Sequence, residues 1–458
     1  MQFICCLFGG TALLELRCSN VEDPRCLQPS SIGPSQRCCP RNDVALAKQF
    51  ASQCDTFALH KSHMHGKGKR IAVIGGGAAG MFGAIRLAEL LPEAEVIVFE
   101  KSKNLLSKVK VSGGGRCNVT HSCFEPKELV KFYPRGGKEL LSPFFSFQPS
   151  NMIYWLLDRG VETHTEEDGR MFPSTNKSQT IIDCFMNEAE KLGVQIKTEY
   201  AADLSFLQSY DAVLMTAGSS ELVWKDLESH GVPCVPRVPS LFTFHINDKS
   251  LHELSGISVP HADLEILDTK IKTSGPLLIT HWGMSGPAVL KASAFGALAL
   301  AEKNYEANIR INWINQSFND TLDELKDLRE SHPKKMCVTF NPFQLSSRLW
   351  NWHLQRADLF LKDWANSSNK AIEELANSLT RSVLPMTGKS TFKEEFVTAG
   401  GVDLKHVNFQ TMEHKLIPNL YFAGEVLNID AVTGGYNFQA AWTTAWIAAQ
   451  GIADKLAE

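Results

Sequence analysis

Four consecutive apolar residues, Ile71-Ala72-Val73-Ile74, stand directly before Gly75-Gly76-Gly77-Ala78-Ala79-Gly80. That order predicts a short buried strand, a glycine turn and then a helix. The helix reads from about Ala79 to Leu91, with Ile85, Leu87, Ala88 and Leu91 on one apolar face and Pro92 ending it. Val96 to Phe99 form a second apolar run closing on Glu100, which completes a βαβ-like unit of about thirty residues. Such a unit implies a parallel sheet.

Further on, Asp211 to Thr216 read as another buried strand, ending at Gly218. After Pro236 the pattern changes. Leu241 to Ile246, Ala262 to Leu267, Leu277 to Thr280 and Ala307 to Trp313 read as strands without regular helices between them, whereas Leu345 to Leu361 and Asn369 to Leu384 read as helices. The strand-and-glycine pattern returns at Leu420-Tyr421-Phe422-Ala423 and leads to a last helix from about Asn437 to Leu456. The expected organisation is therefore α/β: a discontinuous domain over 70–235 and 391–458, carrying an inserted β-barrel-like and helical lobe over 236–390. Residues 1–69 lack periodicity and read as a leader or disordered extension, with eight Lys or Arg against five acids.

Composition narrows the function classes. Hydrophobic residues make up 44% and charged residues 21% of 458, the balance of an ordinary globular protein. The net charge of −4 exerts no general pull toward phosphate backbones or anionic membranes. No apolar run reaches the roughly 18 to 20 residues that span a bilayer. Neither a nucleic acid nor a membrane is expected as a partner; a small molecule is. Seven of the twelve cysteines precede Arg70, and the other five show no paired zinc-type spacing, so no metal site is expected. The chain reads as reduced and intracellular, organellar if residues 1–69 are a transit peptide and cytoplasmic otherwise.

The sharpest motif is Gly75-x-Gly77-x-x-Gly80 between strand and helix. The first glycine permits the tight turn, the second lets backbone approach a pyrophosphate, and the third allows close helix–sheet packing. The helix N-terminus supplies free N–H groups and a positive dipole end. Glu100, at the end of the next strand, is placed to accept hydrogen bonds from ribose hydroxyls, and it disfavours a 2′-phosphate. A Rossmann-type site for the adenosine half of FAD or NAD follows. Two other segments favour FAD. Ser112-Gly113-Gly114-Gly115-Arg116-Cys117-Asn118 reads as an exposed loop able to lie against a flat ring, with Arg116 and Asn118 as donors. Ala423-Gly424-Glu425 and Thr433-Gly434-Gly435-Tyr436-Asn437 pair a carboxylate for ribityl hydroxyls with a helix N-terminus for the carbonyl edge of a flavin. Ala79, Lys101 and Gly218 flank these segments and complete the expected cofactor-binding set.

The runs RIAVIGGGAAG, KVKVSGGGRCNVT, LLITHWGMSGPAVL and NLYFAGEVLNIDAVTGGYN resemble the BaiN/YhiN-type flavoproteins, NAD(P)/FAD-dependent oxidoreductases. The likeness covers about Arg70 to Leu456. It implies a discontinuous FAD domain with an inserted barrel-like lobe, and FAD contacts from Gly75, Gly77, Gly80, Glu100, Gly115, Arg116, Asn118, Gly424, Glu425, Gly434, Gly435 and Asn437. One departure is that Met215-Thr216-Ala217-Gly218 replaces the family's Ala-Thr-Gly-Gly, adding a methyl group near the cofactor.

Catalytic side chains are harder to read. Cys117 and Cys123 are one residue further apart than a glutathione-reductase-like pair, so Cys117 reads as structural and Cys123 as incidental. His281 is the weak candidate for an acid or substrate-orienting residue, in a turn where Ser285 is placed to cap a helix beginning near Pro287. The reading is an FAD-dependent oxidoreductase moving a hydride through flavin N5, with NAD(P)H as a transient donor. An FAD-dependent RNA-modification enzyme and a non-catalytic flavin-binding protein stand as alternatives.

Overall fold

The computed structural model describes residues 68–390 and 397–457. The leader over 1–69 thus lies outside the described residues except for its last two. β1 (Arg70–Ile74), α1 (Ala78–Leu90) and β2 (Glu95–Phe99) form the expected opening unit, with β1 and β2 parallel and Ile74 opposite Phe99. The chain continues through α2 (Ser107–Gly115), β3 (Thr120–His121) and a hairpin of β4 (Thr163–Thr165) and β5 (Arg170–Pro173). β6 (Gln195–Lys197) and β7 (Ala212–Met215) then return to the first sheet.

β8 (Cys234–Ser240) leads out to a closed barrel. Its strands are β9 (Thr243–Ile246), β10 (Ser258–Ile266), β11 (Lys272–Thr280), β12 (Gly283–Ser285), β13 (Glu306–Asn312) and β14 (Ser382–Ser390), in the order β10-β11-β12-β9-β14-β13. Closure satisfies every edge that an open sheet would leave unpaired. Among these strands α3 (Pro287–Phe295), which begins where the sequence reads a helix near Pro287, lies between β12 and β13, and α4 (Phe318–Ser331) follows β13. After α5 (Ser347–Arg356), α6 (Asn369–Thr380) stops four residues short of the expected Leu384, because Ser382 onward alternates buried and exposed positions and pairs with β13. These helices enclose a second core around Trp350, Trp364 and Leu375, distinct from the barrel core of Phe244, Ile279 and Ile309.

β15 (Val397–Val402) pairs antiparallel with β8, so the outward and returning crossings run side by side. The chain then adds β16 (Val407–Asn408), β17 (Glu413–His414) and β18 (Leu420–Phe422) to the main sheet, whose order among the described residues is β16-β17-β18-β7-β1-β2-β6. The last helix, α7 (Tyr436–Ala457), lies against α1. Gly83 makes the approach close, since a Cβ there would sit 2.9 Å from Leu214 Cδ2 and 3.5 Å from Ala445 Cβ. Phe82, Phe147, Phe185 and Trp442 pack edge-on or tilted around that contact. Full burial of such rings stabilises by about 1.5 to 3 kcal/mol each, which fixes α1 and α7 with their N-termini on one side of the sheet.

Candidate cofactor site

Both N-termini open on a single cavity of about 1020 Å³, at the upper end of ligand-site volumes. The glycine turn shapes one wall. Gly75 has φ +111°, and a Cβ there would come within 2.7 Å of Ala217 Cα. At Gly80 a Cβ would collide with the Gly75 carbonyl oxygen, so the third glycine of the motif is what lets α1 start directly under the turn. Thr216 ties the same corner, donating its hydroxyl to the carbonyls of Ile74 and Gly75 at 3.0 and 2.9 Å. Gly77 is different: a Cβ there would meet nothing within 4 Å, and the residue lines the cavity. Gly77 also caps α1 without any side-chain hydrogen bond, so the first amides of that helix remain available to an anion.

Glu100 follows β2 and lines the cavity. Its carboxylate accepts from the Gly76 and Ser102 amides, each at 2.8 Å. These two bonds fix its orientation while leaving lone pairs for ribose hydroxyls. Lys101, Ala79 and Gly218 line the cavity too, as does Ala217, the departure from the family pattern.

The glycine-rich segment that ends α2 is a kinked helix rather than an open loop. Gly113 and Gly114, at φ +58° and +69°, break α2 and turn the chain back toward Asn118. Asn118 is buried, and its amide is a brace: Nδ2 donates to the Thr120 and Met171 carbonyls at 3.0 and 3.3 Å, and Oδ1 accepts from the Gly435 amide at 2.9 Å. Asn437 braces likewise, exchanging hydrogen bonds of 3.0 and 3.1 Å with the Ala431 backbone. Asn118, Gly434, Gly435 and Asn437 all line the cavity. Glu425 and Gly424, just after β18, line it too; the Glu425 carboxylate pairs with Lys108 and accepts from the Thr398 amide at 3.3 Å.

Three expected residues do not line it. Gly80 supports the turn from behind. Gly115 and Arg116 lie beyond the kink, where Arg116 donates to Glu166 Oε1 at 2.6 Å and its guanidinium stacks on Phe172, 4.0 Å from the ring centroid. The arginine that does reach the cavity, beside Lys101 and Lys108, is Arg170 on β5, which sequence spacing did not single out. His281 is exposed in the turn between β11 and β12 and stands outside the cavity lining. Ser285 belongs to β12, and α3 is capped by Gly286 with no side-chain bond. Cys117 and Cys123 are both free thiols; burial pushes the Cys117 pKa up to about 12, which leaves no nucleophilic thiolate there. Behind Gly434, His121 stacks on Tyr436 at 4.6 Å, and desolvation lowers its pKa against an opposing bond to the Asp168 carbonyl. Among the described residues no cluster of His, Cys, Asp and Glu is arranged to hold a metal ion.

The residues present fit FAD. Gly77 leaves room for a diphosphate over free helix amides, Glu100 lines the cavity with lone pairs to spare, and a second helix N-terminus with its glycine turn bounds the same cavity. A Rossmann sheet built this way, with a barrel lobe inserted in it, defines an FAD-dependent oxidoreductase. Residues 69–451 match the model of the HI0933-like protein Rossmann domain, and the chain belongs to that family. Relatives named ribosomal RNA dihydrouridine synthase, from Haemophilus influenzae and Escherichia coli, are 28% and 29% identical, covering 83% of this chain and 97% of their own. A 3-dehydro-bile acid delta(4,6)-reductase from Clostridium scindens is 24% identical over 84% of this chain and 99% of its own. No helix among the described residues is long and apolar enough to cross a membrane.

Proposed function

We propose that the protein is a reductase that delivers a hydride to an electron-poor carbon–carbon double bond of a small molecule, with NAD(P)H as transient donor. The cavity carries this reading: it joins a dinucleotide cradle to a wall containing Leu241 and Leu290 from the barrel side and Ile429 and Phe438 from the C-terminal side. Bound FAD supplies the two-electron hydride chemistry. The chain's own residues do the rest. Gly75, Gly77, Ala79, Gly80 and the α1 amides hold the diphosphate region; Glu100 and Lys101 address the adenosine half; Gly218, Gly424 and Glu425 border the ribityl path. Asn118, Gly434, Gly435 and Asn437 shape the ring end, with Gly115 and Arg116 supporting it from behind.

The names of the relatives support the choice of acceptor. Saturating uridine and reducing a delta(4,6) steroid both add two hydrogens across a double bond conjugated to a carbonyl. In that chemistry the hydride reaches the β-carbon, the displaced electron pair moves toward the carbonyl oxygen, and a proton reaches the α-carbon. With a single dinucleotide fingerprint in the sequence, the nicotinamide donor would visit the ring end in turn with the acceptor. Ribosomal RNA as acceptor is the second reading, favoured by the names of two relatives matched over 97% of their length. The net charge of −4 lends it no general electrostatic help.

Anaerobic mixing with NADH and NADPH separately, then with cyclohexenone, a conjugated keto-steroid or unmodified ribosomal RNA, tests both. Bleaching by a nicotinamide and reoxidation by a small conjugated ketone is the expected result. Reoxidation by RNA alone would establish the second reading. A protein that takes up no FAD, or a flavin that neither nicotinamide reduces, would remove the first.

A further inference from the structure

The cavity wall carries the cations Lys101, Lys108 and Arg170. Lys101 bonds Ser220 Oγ at 3.2 Å, beside Glu100 at the adenosine end, and Lys108 is paired with Glu425. Arg170 belongs to the opposite end, and the backbone places it there. On β5 it stands directly across from His121 of β3, while Met171 faces Thr120. A Cβ on Gly434 would lie 3.6 Å from His121 Cδ2, and one on Gly435 would collide with the Thr120 carbonyl. The Arg170 strand therefore runs beside the glycine turn that starts α7.

Its guanidinium is held in one orientation. Nε donates to Asp168 Oδ2 at 2.7 Å and Nη2 to Glu166 Oε2 at 2.9 Å. The other oxygen of Glu166 takes Arg116, and Phe172 packs against both guanidinium groups, at 4.0 Å for Arg116 and 5.6 Å for Arg170. Of the five N–H donors of Arg170, those on Nη1 are not used in these bonds. A cation fixed by two carboxylates, 37% exposed on a cavity wall, is preorganised to meet an oxygen that gains negative charge.

We infer that Arg170 is the substrate-anchoring residue, binding the carbonyl oxygen of the conjugated acceptor through its free donors. This rests on the reductase reading and adds to it the group that fixes the acceptor. Bound FAD would supply the hydride for the β-carbon; as the π pair of the double bond shifted toward the carbonyl, Arg170 would meet the charge gained by the oxygen. A proton from water then adds at the α-carbon, and Arg170 stays protonated throughout. A guanidinium can be held through Nε and Nη2 while Nη1 donates, an arrangement that an ammonium does not reproduce.

The test uses the FAD-loaded parent, Arg170→Gln and Arg170→Lys, each reduced anaerobically with dithionite and mixed with cyclohexenone. Saturated cyclohexanone, titrated into the oxidised proteins, reads binding from the flavin spectrum without turnover. FAD content should match the parent in both variants. Reoxidation by cyclohexenone should slow about 10- to 100-fold in Arg170→Gln, the worth of a hydrogen bond to a charged group, and cyclohexanone should bind correspondingly more weakly; Arg170→Lys should fall between. Equal reoxidation and equal binding in parent and Arg170→Gln would overturn the inference alone. Loss of FAD along with activity would make Arg170 a cofactor brace and overturn it as well. A parent that no conjugated carbonyl reoxidises would take down the reductase reading and this inference with it.

Discussion

Gly80 lies so close beneath Gly75 that a Cβ on Gly80 would strike the Gly75 carbonyl oxygen and come within 2.6 Å of Thr216 Oγ1. Gly77, three residues earlier, has open space where its Cβ would be and an ordinary φ of −81°. The two glycines of one motif therefore serve different ends, and alanine separates them. Gly80→Ala should cost about 1 to 3 kcal/mol of stability, the usual range for overpacking against fixed neighbours, and should lose FAD with it. Gly77→Ala should leave the apoprotein melting as before yet weaken FAD, since its methyl group would occupy the approach to the diphosphate. Melting curves of both apoproteins, with FAD titrations, check this; equal destabilisation by both would contradict the assignment.

The opening β1–turn–α1 unit was legible because its signals are local: an apolar run, a glycine spacing and a helix period within about thirty residues. The barrel was legible as strands but not at its seams. Arg381 follows α6 with no glycine or proline to stop the helix, and Ser382–Ser390 becomes a strand only through pairing with β13 and β9, far away in sequence. Arg116 and Arg170 show the same limit in the site. Spacing to the triple glycine pointed to Arg116. The β3–β5 pairing, which joins residues about fifty apart, brings Arg170 to the cavity and turns Arg116 into its support. The sequence offers His281 as an acid or substrate-orienting residue; the β11–β12 turn carries it to the surface, outside the cavity lining.

Glu425 bridges Lys108 on α2 and the Thr398 amide on β15, so its carboxylate joins segments from both halves of the cavity wall. Glu425→Ala should weaken FAD binding about 10- to 100-fold, at roughly 1.4 kcal/mol per tenfold change. Glu425→Gln keeps an acceptor for Thr398 and should lose less. FAD titration of the apoproteins, with circular dichroism to confirm folding, measures it. Affinity equal to the parent in both variants would remove Glu425 from the site.

His353 is fully buried between Trp313 and Trp352, with Nδ1 2.8 Å from Ser378 Oγ. Burial lowers its pKa from 6.5 to about 3, with Arg356 adding to the effect. The folded protein therefore holds it neutral while the unfolded chain protonates near 6.5. Its contribution to stability is fully present above that value and is lost as pH falls toward 3, by up to about 1.4 kcal/mol per pH unit. His353→Phe should flatten the loss between pH 6.5 and 5 relative to the parent. Urea unfolding at pH 7 and pH 5 checks the slope; an unchanged slope would show that other groups, such as His414, whose pKa is also lowered by burial, dominate the window.

Asp430 is fully buried, and Arg135 beside it keeps only 11% of its side chain exposed. Arg135 meets both carboxylate oxygens through Nε and Nη2, Nη2 also donates to the Ala294 carbonyl at 2.8 Å, and Ser240 Oγ donates to Asp430 at 2.8 Å. One ion pair thus ties the C-terminal segment to the end of β8 and to α3 beside the barrel. It also sets Ile429, the preceding residue, against the cavity, where Gly136 has no room for a Cβ because Ile429 Cγ1 would lie 2.5 Å from it. Removing one partner strands a buried charge, which typically costs about 3 to 5 kcal/mol, whereas replacing both with apolar groups of similar size is often close to neutral. Arg135→Met should therefore destabilise strongly, and the double variant Arg135→Met with Asp430→Leu should recover most of the loss. Because the pair also positions the wall at Ile429, the recovered double variant should still show a raised KM for the acceptor with FAD content intact. Chemical denaturation gives the stability cycle and steady-state kinetics the KM. A double variant as unstable as the single one would show that Asp430 holds this junction through Ser240 and the backbone and not through Arg135.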